Sequence, residues 1–289
     1  MRREQYINYI RKILIITLFS FWVFPSLASD PKILKMVFVP ASEKGDENDY
    51  ESLLEIISQN AGIKIESIKV TDYNAAVEAM RAGRAQMAWF GGKTYIVAAK
   101  IAGAQAFAAG VRVGSKSAGY YSFFVVRNDS NLKNFNDVKG QILGLGSIGS
   151  TSGDLIPRVE LSKIGLSIDN PNDFKQFVYT GNHDACLLAV INKHINVCGM
   201  SSRNFEARLA DGTINKNEVR IIHKSPLVPP PPLAYSKNLS KNLKNKIKKA
   251  TIEAHKYGKI GGYGGEMSHY IEVKDTDYDT LRQLETLLK

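Results

Sequence analysis

The sequence contains little cysteine and little acidic charge for its length. Two cysteines in 289 residues are too few for a disulfide-rich scaffold, and no internal repeat or low-complexity tract is long enough to indicate a solenoid. The sequence has 28 acidic residues and 38 lysines and arginines, which gives a formal charge of +10 and favours an anionic partner of some kind. An apolar content of 44% with 23% charged residues supports a large core and excludes a disordered chain.

The N-terminal apolar run, Ile13 to Phe24, is shorter than the roughly 20 residues that a membrane-spanning helix needs. Basic residues precede it, and Ser26-Leu27-Ala28 follows with the small-x-small pattern that signal peptidase accepts. We predict a secretory signal peptide over residues 1–28, cleaved after Ala28, with an uncleaved anchor helix as the alternative. No cysteine follows the run at a lipoprotein position, so we expect a freely soluble mature protein in the periplasm.

After this segment, short β-rich runs alternate with amphipathic helical stretches, which is the pattern of an α/β protein. Two connections are candidate linkers. Gly114–Gly119 is rich in small residues, and Ser225–Val228 leads into Pro229–Pro232, which cannot donate backbone hydrogen bonds and suit an extended crossing. A single α/β domain with a proline-rich surface loop is the alternative to two interleaved lobes. The predicted lobes comprise residues 29–118 with 226–289, and residues 119–225.

The segment Gly144–Gly153 lies between a predicted strand and a predicted helix. Its glycines match the G-x-G-x-x-G spacing of a dinucleotide-binding turn, but no clear ribose-binding acid follows at a strand end, and nicotinamide chemistry is uncommon outside the cytoplasm. Its serines do not satisfy G-x-S-x-G, which argues against a serine hydrolase. Gly92-Lys93-Thr94 similarly lacks the preceding glycine of a Walker A loop.

Three consecutive hydroxyl side chains, Ser150, Thr151 and Ser152, stand where this helix is expected to begin. The first N–H groups of a helix have no partner within it and carry the positive end of its dipole, so amides and hydroxyls together can hold a tetrahedral oxyanion. An ordinary Ser/Thr N-cap is the alternative, although one hydroxyl is enough for a cap. We therefore expect an oxyanion site here.

A series of short motifs follows in order along the chain: Ala88–Gly91, Gly119–Ser122, Ser150–Gly153 with Leu155–Pro157, Gly181 with His183–Ala185, Lys224–Leu227 and Asp277–Asp279. Their order and spacing together resemble the periplasmic substrate-binding proteins of phosphonate, phosphite and phosphate ABC importers. The resemblance covers nearly the whole mature chain. It implies an α/β, two-lobed periplasmic-binding-protein fold with two hinge crossings and a ligand cleft between the lobes.

The resemblance also implies residues of the site. Ser150, Thr151 and Ser152 match the family's phosphoryl-binding motif, and His183 with Asp184 matches its His-Asp pair. A histidine can donate to a phosphoryl oxygen, and a carboxylate can accept a proton from one, which would discriminate against fully deprotonated sulfate. Capping of the following helix is the alternative role for the pair.

Aromatic residues are expected to wall the pocket. By the resemblance, Phe90 corresponds to an aromatic at a strand end and Tyr50 to one at the start of the first helix, while Tyr121 lies at the first crossing; core packing is the alternative for each. Aminoalkylphosphonate binders carry aspartate where Asn196 stands, which puts recognition of a ligand ammonium in doubt. Arg203 would favour a more anionic ligand, but we interpret it as a solvent-facing residue at a helix start.

Cys186 and Cys198 lie on an early helical turn and on the returning strand, so a disulfide between them is possible but not decided by the sequence. A metal site built from these cysteines with His183 and Asp184 lacks zinc-like spacing. The lysine-rich stretch 237–259 is interpreted as a solvated helix face, because it lacks the interleaved aromatics that nucleic-acid binding would use.

We therefore expect an extracytoplasmic solute-binding protein, acting as a monomer without enzymatic activity, cofactor, metal or nucleic-acid partner. It would capture a phosphonate, phosphite or phosphate, close by hinge motion and deliver the ligand to an ABC permease in the inner membrane. Two alternatives remain open. One is a sensor that presents the bound form to a membrane receptor, and the other is an exported hydrolase with Cys186 or Ser152 as its nucleophile.

Overall fold

The computed structural model describes residues 30–43 and 50–288. The predicted signal peptide and its cleavage after Ala28 lie outside these residues. Within them, no helix is long and apolar enough to cross a membrane. The strands are β1 (Ile33–Phe38), β2 (Lys64–Ile68), β3 (Met87–Trp89), β4 (Ala104–Arg112), β5 (Ser122–Arg127), β6 (Ile142–Leu145), β7 (Gln176–Tyr179), β8 (Val197–Ser201), β9 (Val219–Lys224), β10 (Leu233–Ser236), β11 (Ile260–Gly262) and β12 (Gly265–Glu272).

Several helical segments of lobe 2 begin at a polar residue whose side chain caps them. Ser150, Asn182 and Ser201 each accept a backbone N–H with the side chain at a helix start, which satisfies a donor that the helix itself leaves unpaired. A π-helical turn over Thr151–Leu155 leads directly into α4. The helices are α1 (Glu51–Ala61), α2 (Tyr73–Arg81), α3 (Gly92–Ala102), α4 (Ile156–Lys163), α5 (His183–Ile191), α6 (Ser202–Ala210), α7 (Lys241–Glu253) and α8 (Asp279–Thr286), with 3-10 turns over Phe135–Val138, Ala254–Lys256 and Asp275–Tyr278.

Two separate sheets organise these elements. The first has the order β11-β12-β4-β10-β3-β1-β2 and the second the order β7-β6-β8-β5-β9; we call the parts built on them lobe 1 and lobe 2. The chain passes from lobe 1 to lobe 2 between β4 and β5, and returns between β9 and β10. The α/β, two-lobed fold with two crossings is therefore confirmed. The lobe boundaries at residues 118/119 and 225/226 stay a prediction.

The two crossings run side by side as a short antiparallel ribbon. Tyr120 and Val228 exchange backbone hydrogen bonds of 3.2 and 2.8 Å, and the backbone N–H of Ser122 donates to Ser225 Oγ at 2.9 Å. Beyond Val228 the proline run stays extended, and the carbonyl of Pro232 accepts from the N–H of Phe90 at 3.1 Å. Because proline has a backbone carbonyl but no N–H, the prolines of this segment can form backbone hydrogen bonds to lobe 1 only through their carbonyls.

Each lobe has its own core, and the core of lobe 2 contains a disulfide. Apolar side chains pack on both faces of its sheet. Cys186 on α5 is bonded to Cys198 on β8, with Cα atoms 5.7 Å apart. The sequence left this pairing open, and the register of α5 against β8 decides it. The bond ties the helix that begins at His183 to the strand beside β6.

Candidate ligand-binding site

The segment between β6 and α4 forms a tight loop that brings its hydroxyls inside the molecule. Ser150 caps the π-helical turn, with Oγ accepting from the N–H of Gly153 at 3.0 Å. Ser150, Thr151 and Ser152 are each only 2% exposed. One hydroxyl therefore performs the capping role, and the capping interaction does not account for the other two. A π-helical turn of this kind is often found at functional sites because it widens the local backbone.

The glycines of this segment are explained by close packing. A side chain at Gly153 would place Cβ 2.8 Å from Cε1 of His183, and one at Gly146 would place it 3.2 Å from Nδ1 of the same ring. A side chain at Gly144 would meet Ile195 at 2.3 Å. The loop therefore lies against the imidazole because it lacks side chains there. Gly149 has a φ of +93°, and a side chain there would place Cβ 2.9 Å from Cβ of Tyr73, so packing and conformation account for all three glycines of the spacing that resembles a dinucleotide fingerprint.

His183 is buried and neutral at the start of α5. The backbone N–H of Ser201 donates to its Nδ1 at 3.3 Å, so the neutral ring carries its proton on Nε2. Burial lowers the pKa of His183 from 6.5 to about 3, because the charged form would be poorly solvated. The side chain can thus donate one hydrogen bond without bringing a positive charge.

A small cavity lies between the lobes beside these groups, with about 210 Å³ of space unfilled by atoms. Both lobes and both crossings contribute to it, and no lining residue that the structure describes has an acidic or basic side chain except the neutral histidine. A wider depression on the outer face of lobe 1 is lined instead by basic and acidic side chains such as Lys100, Lys237, Glu272 and Arg282. The inter-lobe cavity is lined by Val39, Ala41, Tyr73, Trp89, Gly91, Tyr120, Ser150, Thr151, Ser152, His183, Pro231 and Tyr263.

At two places the aromatic residue that lines the cavity is the sequence neighbour of the one that we expected. Trp89 and Tyr120 line the cavity, whereas their neighbours Phe90 and Tyr121 do not. Successive residues of an extended chain point to opposite sides, so Tyr121 turns to the other face, where Lys224 Nζ lies 3.6 Å from its ring centroid. Tyr50 stands behind the wall, with its ring 5.8 Å from that of Trp89. Ligand contact by Phe90, Tyr121 and Tyr50 stays a prediction without support from this arrangement.

Two polar groups of the aromatic lining can donate to a guest. The indole Nε1 of Trp89 is buried and has no hydrogen-bond partner among the described residues, which is costly unless something else accepts from it. Burial raises the pKa of Tyr120, an effect that the adjacent hydroxyls of Ser152 and Thr151 partly oppose. The phenol therefore stays protonated and lies beside the serine-threonine pair.

Asp184 does not line the cavity, although it was expected to accept a proton from the ligand. Its Oδ2 accepts from the backbone N–H of Glu43 in lobe 1 at 3.1 Å, and its Oδ1 lies 3.3 Å from Nε of Arg208. The carboxylate thus pairs with a helix arginine and reaches the opposite lobe. Direct contact with the ligand, and discrimination against sulfate through it, stay predictions.

Two further residues that the sequence left open lie away from the cavity lining. Asn196 Oδ1 accepts from the backbone N–H of Ile142 at 2.9 Å, which ties the exposed starts of β8 and β6 together. Arg203 is only 4% exposed, so our interpretation of it as a solvent-facing residue is wrong. Its side chain points from the start of α6 into the molecule, because carbonyls of lobe 1 accept hydrogen bonds from its guanidinium.

The lobes are closed onto each other around the loop. The backbone N–H of Lys93 donates to Thr151 Oγ1 at 2.9 Å, and Thr94 Oγ1 donates to the carbonyl of Gly149 at 2.8 Å. The ammonium of Lys93 pairs with Asp154, which also accepts from the hydroxyl of Tyr179 at 2.6 Å. Lobe 1 residues from the start of α3 therefore complete the site, a contribution that the sequence did not predict.

Comparison with known proteins agrees with this geometry. The family described as "ABC transporter, phosphonate, periplasmic substrate-binding protein" matches residues 36–278 of the chain. The chain belongs to this family. The resemblance inferred from the motifs is therefore confirmed, and the periplasmic location of the family agrees with export. Cleavage after Ala28 stays a prediction.

Individual members of the family extend over most of the chain. The phosphonates-binding periplasmic protein of Escherichia coli K12 is 31% identical over 211 residues, which is 71% of this chain but only 61% of that protein. The phosphate-import protein PhnD of Mycolicibacterium smegmatis is 24% identical over 88% of this chain and 85% of its own. A binding protein component of an ABC phosphonate transporter from Pseudomonas aeruginosa superposes with a TM-score of 0.78 at 25% identity, covering 90% of this chain and 87% of its own.

Proposed function

We propose that this protein captures a small tetrahedral phosphorus oxyanion between its lobes and presents it to an ABC permease in the inner membrane. The observation that carries the proposal is the convergence of buried, neutral donors on one small cavity. The hydroxyls of Thr151 and Ser152, the Nε2–H of His183 and the hydroxyl of Tyr120 come from three separate parts of the chain. Such preorganised donors can replace the hydration shell of an oxyanion.

The size of the cavity restricts the ligand. Although about 210 Å³ of this region is unfilled by atoms, only about 10 Å³ admits the centre of a water-sized sphere, which is near the limit for holding one water. Apolar groups of Val39, Ala41 and Pro231 share the lining with the donors and could contact a hydrogen or methyl substituent on phosphorus. Phosphite, phosphate and methylphosphonate therefore fit the proposal better than a phosphonate with a long substituent.

Aminoalkylphosphonates are disfavoured by the charge of the lining. A ligand ammonium needs an acceptor, and burying it without a carboxylate is costly. Asp184 is engaged by Glu43 and Arg208, and Asn196 lies exposed at the start of β8, where it bonds to Ile142. We propose that 2-aminoethylphosphonate binds more weakly than methylphosphonate.

Binding, and not turnover, is the chemistry that the site supports. Cys186 is in a disulfide and therefore has no thiol to act as a nucleophile. Ser152 would need a base, but Nδ1 of His183 already accepts from the backbone, and its Nε2 carries the proton in the neutral ring. A sensory role would use the same site, and uptake of ligand by cells with and without the protein would separate the two.

Titration calorimetry against phosphite, phosphate, methylphosphonate, 2-aminoethylphosphonate and sulfate tests the proposal. We expect measurable binding of at least one of the first three, and a loss of about tenfold or more in affinity in Thr151→Val and Ser152→Ala, since a hydrogen bond to a charged group contributes roughly 1.5–3 kcal/mol. Ser162→Ala is the matched control, because its hydroxyl donates to a carbonyl within α4. No heat with any phosphorus ligand would overturn the proposal.

A further inference from the structure

Arg203 carries a buried positive charge that the donors described above leave unexplained. Its guanidinium donates to the carbonyls of Tyr263 at 3.4 Å and Gly110 at 3.2 Å, and also to that of Ala118. The titratable groups that act on it are three tyrosines and another arginine, and none is a carboxylate. Carbonyls satisfy its hydrogen bonds but leave its formal charge uncompensated, and a buried charge without an ion partner is costly.

This charge stands directly behind the cavity wall. The Cζ atom of Arg203 lies 5.8 Å from the ring centroid of Tyr120 and 5.9 Å from that of Tyr263, and both rings line the cavity. Cation–π contact with the two rings recovers part of the cost of burial. Lys93 is neutralised by Asp154, so among the residues that the structure describes Arg203 is the uncompensated cation at the wall.

The surroundings of Arg203 are shaped to admit it. The turn between β11 and β12 contains Gly264, whose φ is +83° and whose Cβ, if it had one, would lie 3.0 Å from Cβ of Arg203. Only glycine adopts this conformation easily, and only glycine leaves the needed space. The turn of lobe 1 is thus fitted around a side chain that belongs to lobe 2.

We propose that Arg203 is the counter-charge of the closed site, a positioning residue that stabilises a bound anion from behind Tyr120 and Tyr263. This inference rests on the proposed function only in requiring that the ligand is an anion. A lining without a formal positive charge leaves the negative charge of a phosphorus ligand uncompensated, and in a medium of low dielectric constant a cation just outside the lining attracts that charge strongly. The selectivity that follows is for ligands with more negative charge.

Closure of the lobes brings the charge of Arg203 to the cavity wall. Arg203 belongs to α6 of lobe 2, whereas Gly110 and Tyr263 belong to lobe 1 and Ala118 to the first crossing. Its contacts therefore exist fully only when the lobes are together. We expect Arg203 to slow release of the ligand without changing its rate of entry, as fully buried charges usually do.

Two substitutions and two ligands separate charge from geometry. Arg203→Gln removes the charge, and Arg203→Lys keeps it with fewer donors. Phosphite carries two negative charges at mildly alkaline pH and hypophosphite carries one, and both are small and tetrahedral. Affinities would be measured by calorimetry, with hypophosphite determined by displacement of phosphite, and release rates by stopped flow. Arg158→Gln is the control for net charge, because Arg158 pairs with Asp169 at the surface of lobe 2.

We expect Arg203→Gln to weaken phosphite binding by about tenfold or more, equivalent to 1.4 kcal/mol, mainly through faster release. Hypophosphite should lose only about the square root of that factor, since Coulomb energy scales with charge. Arg203→Lys retains a cationic side chain with fewer donors, so its loss of phosphite affinity should be smaller than that of Arg203→Gln. Equal losses for both ligands, or a larger loss in Arg203→Lys, would mean a purely structural role and would overturn the inference.

The outcomes also separate this inference from the proposed function. Should Arg203→Gln not fold, the expected behaviour of Arg203→Lys still decides the matter, because that variant keeps the charge. Normal phosphite binding with no effect of either substitution would overturn the counter-charge alone. Absence of binding to any phosphorus anion by the unsubstituted protein would overturn the proposed function, and the present inference with it.

Discussion

The ion pair between Lys93 and Asp154 provides a direct test of how closure sets affinity. Lys93 belongs to α3 of lobe 1, and Asp154 to the π-helical turn of lobe 2. Their side chains are 16% and 1% exposed, so the pair is largely shielded from water. Burial, with the neighbouring Asp154, raises the pKa of Tyr179, which keeps its hydroxyl protonated and donating to the same carboxylate. We predict that Lys93→Met shifts the lobes toward the open form.

The magnitude follows from the burial of Asp154. Removing one partner of a buried pair typically costs about 3–5 kcal/mol, because the other charge stays buried alone. Opening the cleft relieves this cost by returning the carboxylate toward water, and Lys93 lies at the margin of the contact. We therefore take a cost of about 2–3 kcal/mol, which is roughly a 30- to 150-fold change in the ratio of closed to open forms. The apparent dissociation constant rises by up to that factor, and by the full factor if the ligand-free protein is mostly open.

Calorimetry and small-angle X-ray scattering measure the two sides of this prediction. Lys93→Met should bind phosphite more weakly and should show a larger radius of gyration without ligand. Lys163→Met is the matched control, since Lys163 pairs with Glu160 inside lobe 2 at 2.6 Å and spans no cleft. An unchanged dissociation constant together with an unchanged scattering profile in Lys93→Met would show that this pair does not hold the lobes closed.

Three further predictions concern single groups of the site and of lobe 2. Trp89→Phe removes an N–H that has no partner among the described residues, so we expect about tenfold weaker ligand binding. The low pKa of His183 means that its unfolded form takes up a proton first, so the free energy of unfolding should fall as the pH drops from 6.5 to about 3. Replacing Cys186 and Cys198 by alanine should lower the free energy of unfolding by about 2–4 kcal/mol.

Each of these has a measurement that can contradict it. Calorimetry on Trp89→Phe would contradict a donor role if its affinity matched that of the parent. Denaturant titrations at several pH values would contradict the prediction for His183 if the free energy of unfolding of a His183→Asn variant showed the same pH dependence as that of the parent. Chemical unfolding would contradict the prediction for the disulfide if the double alanine variant had the same denaturation midpoint as the parent.

Local patterns were enough to predict the architecture. The alternation of β-rich and helical segments predicted an α/β protein, and the structure has two sheets with helices, because period and turn residues act over a few neighbours. The hydroxyl cluster at Ser150–Ser152 could be recognised for the same reason. A helix start is a local event, and its surplus of hydroxyls is visible in the sequence.

The wall and the charges of the site depend on contacts between distant segments. Strand position alone could not say whether Trp89 or Phe90 faces the cavity, because a shift of one residue exchanges the two sides. Arg203 was interpreted from its place at a helix start, yet carbonyls some 60 to 93 residues away in sequence draw it inward. The link between Lys93 and Asp154 joins residues 61 positions apart, and only the closed arrangement of the lobes brings them together.

Tyr120 belongs to the ribbon of the crossings and also to the lining of the cavity. Rotation about this ribbon would displace each atom in proportion to its distance from it. Gly91 and Ser152 would then separate widely, while Tyr120 and Pro231 would stay almost still. An arriving anion would therefore meet the same floor in the open and the closed molecule, and the gain in affinity on closure would come from the walls that swing in over it.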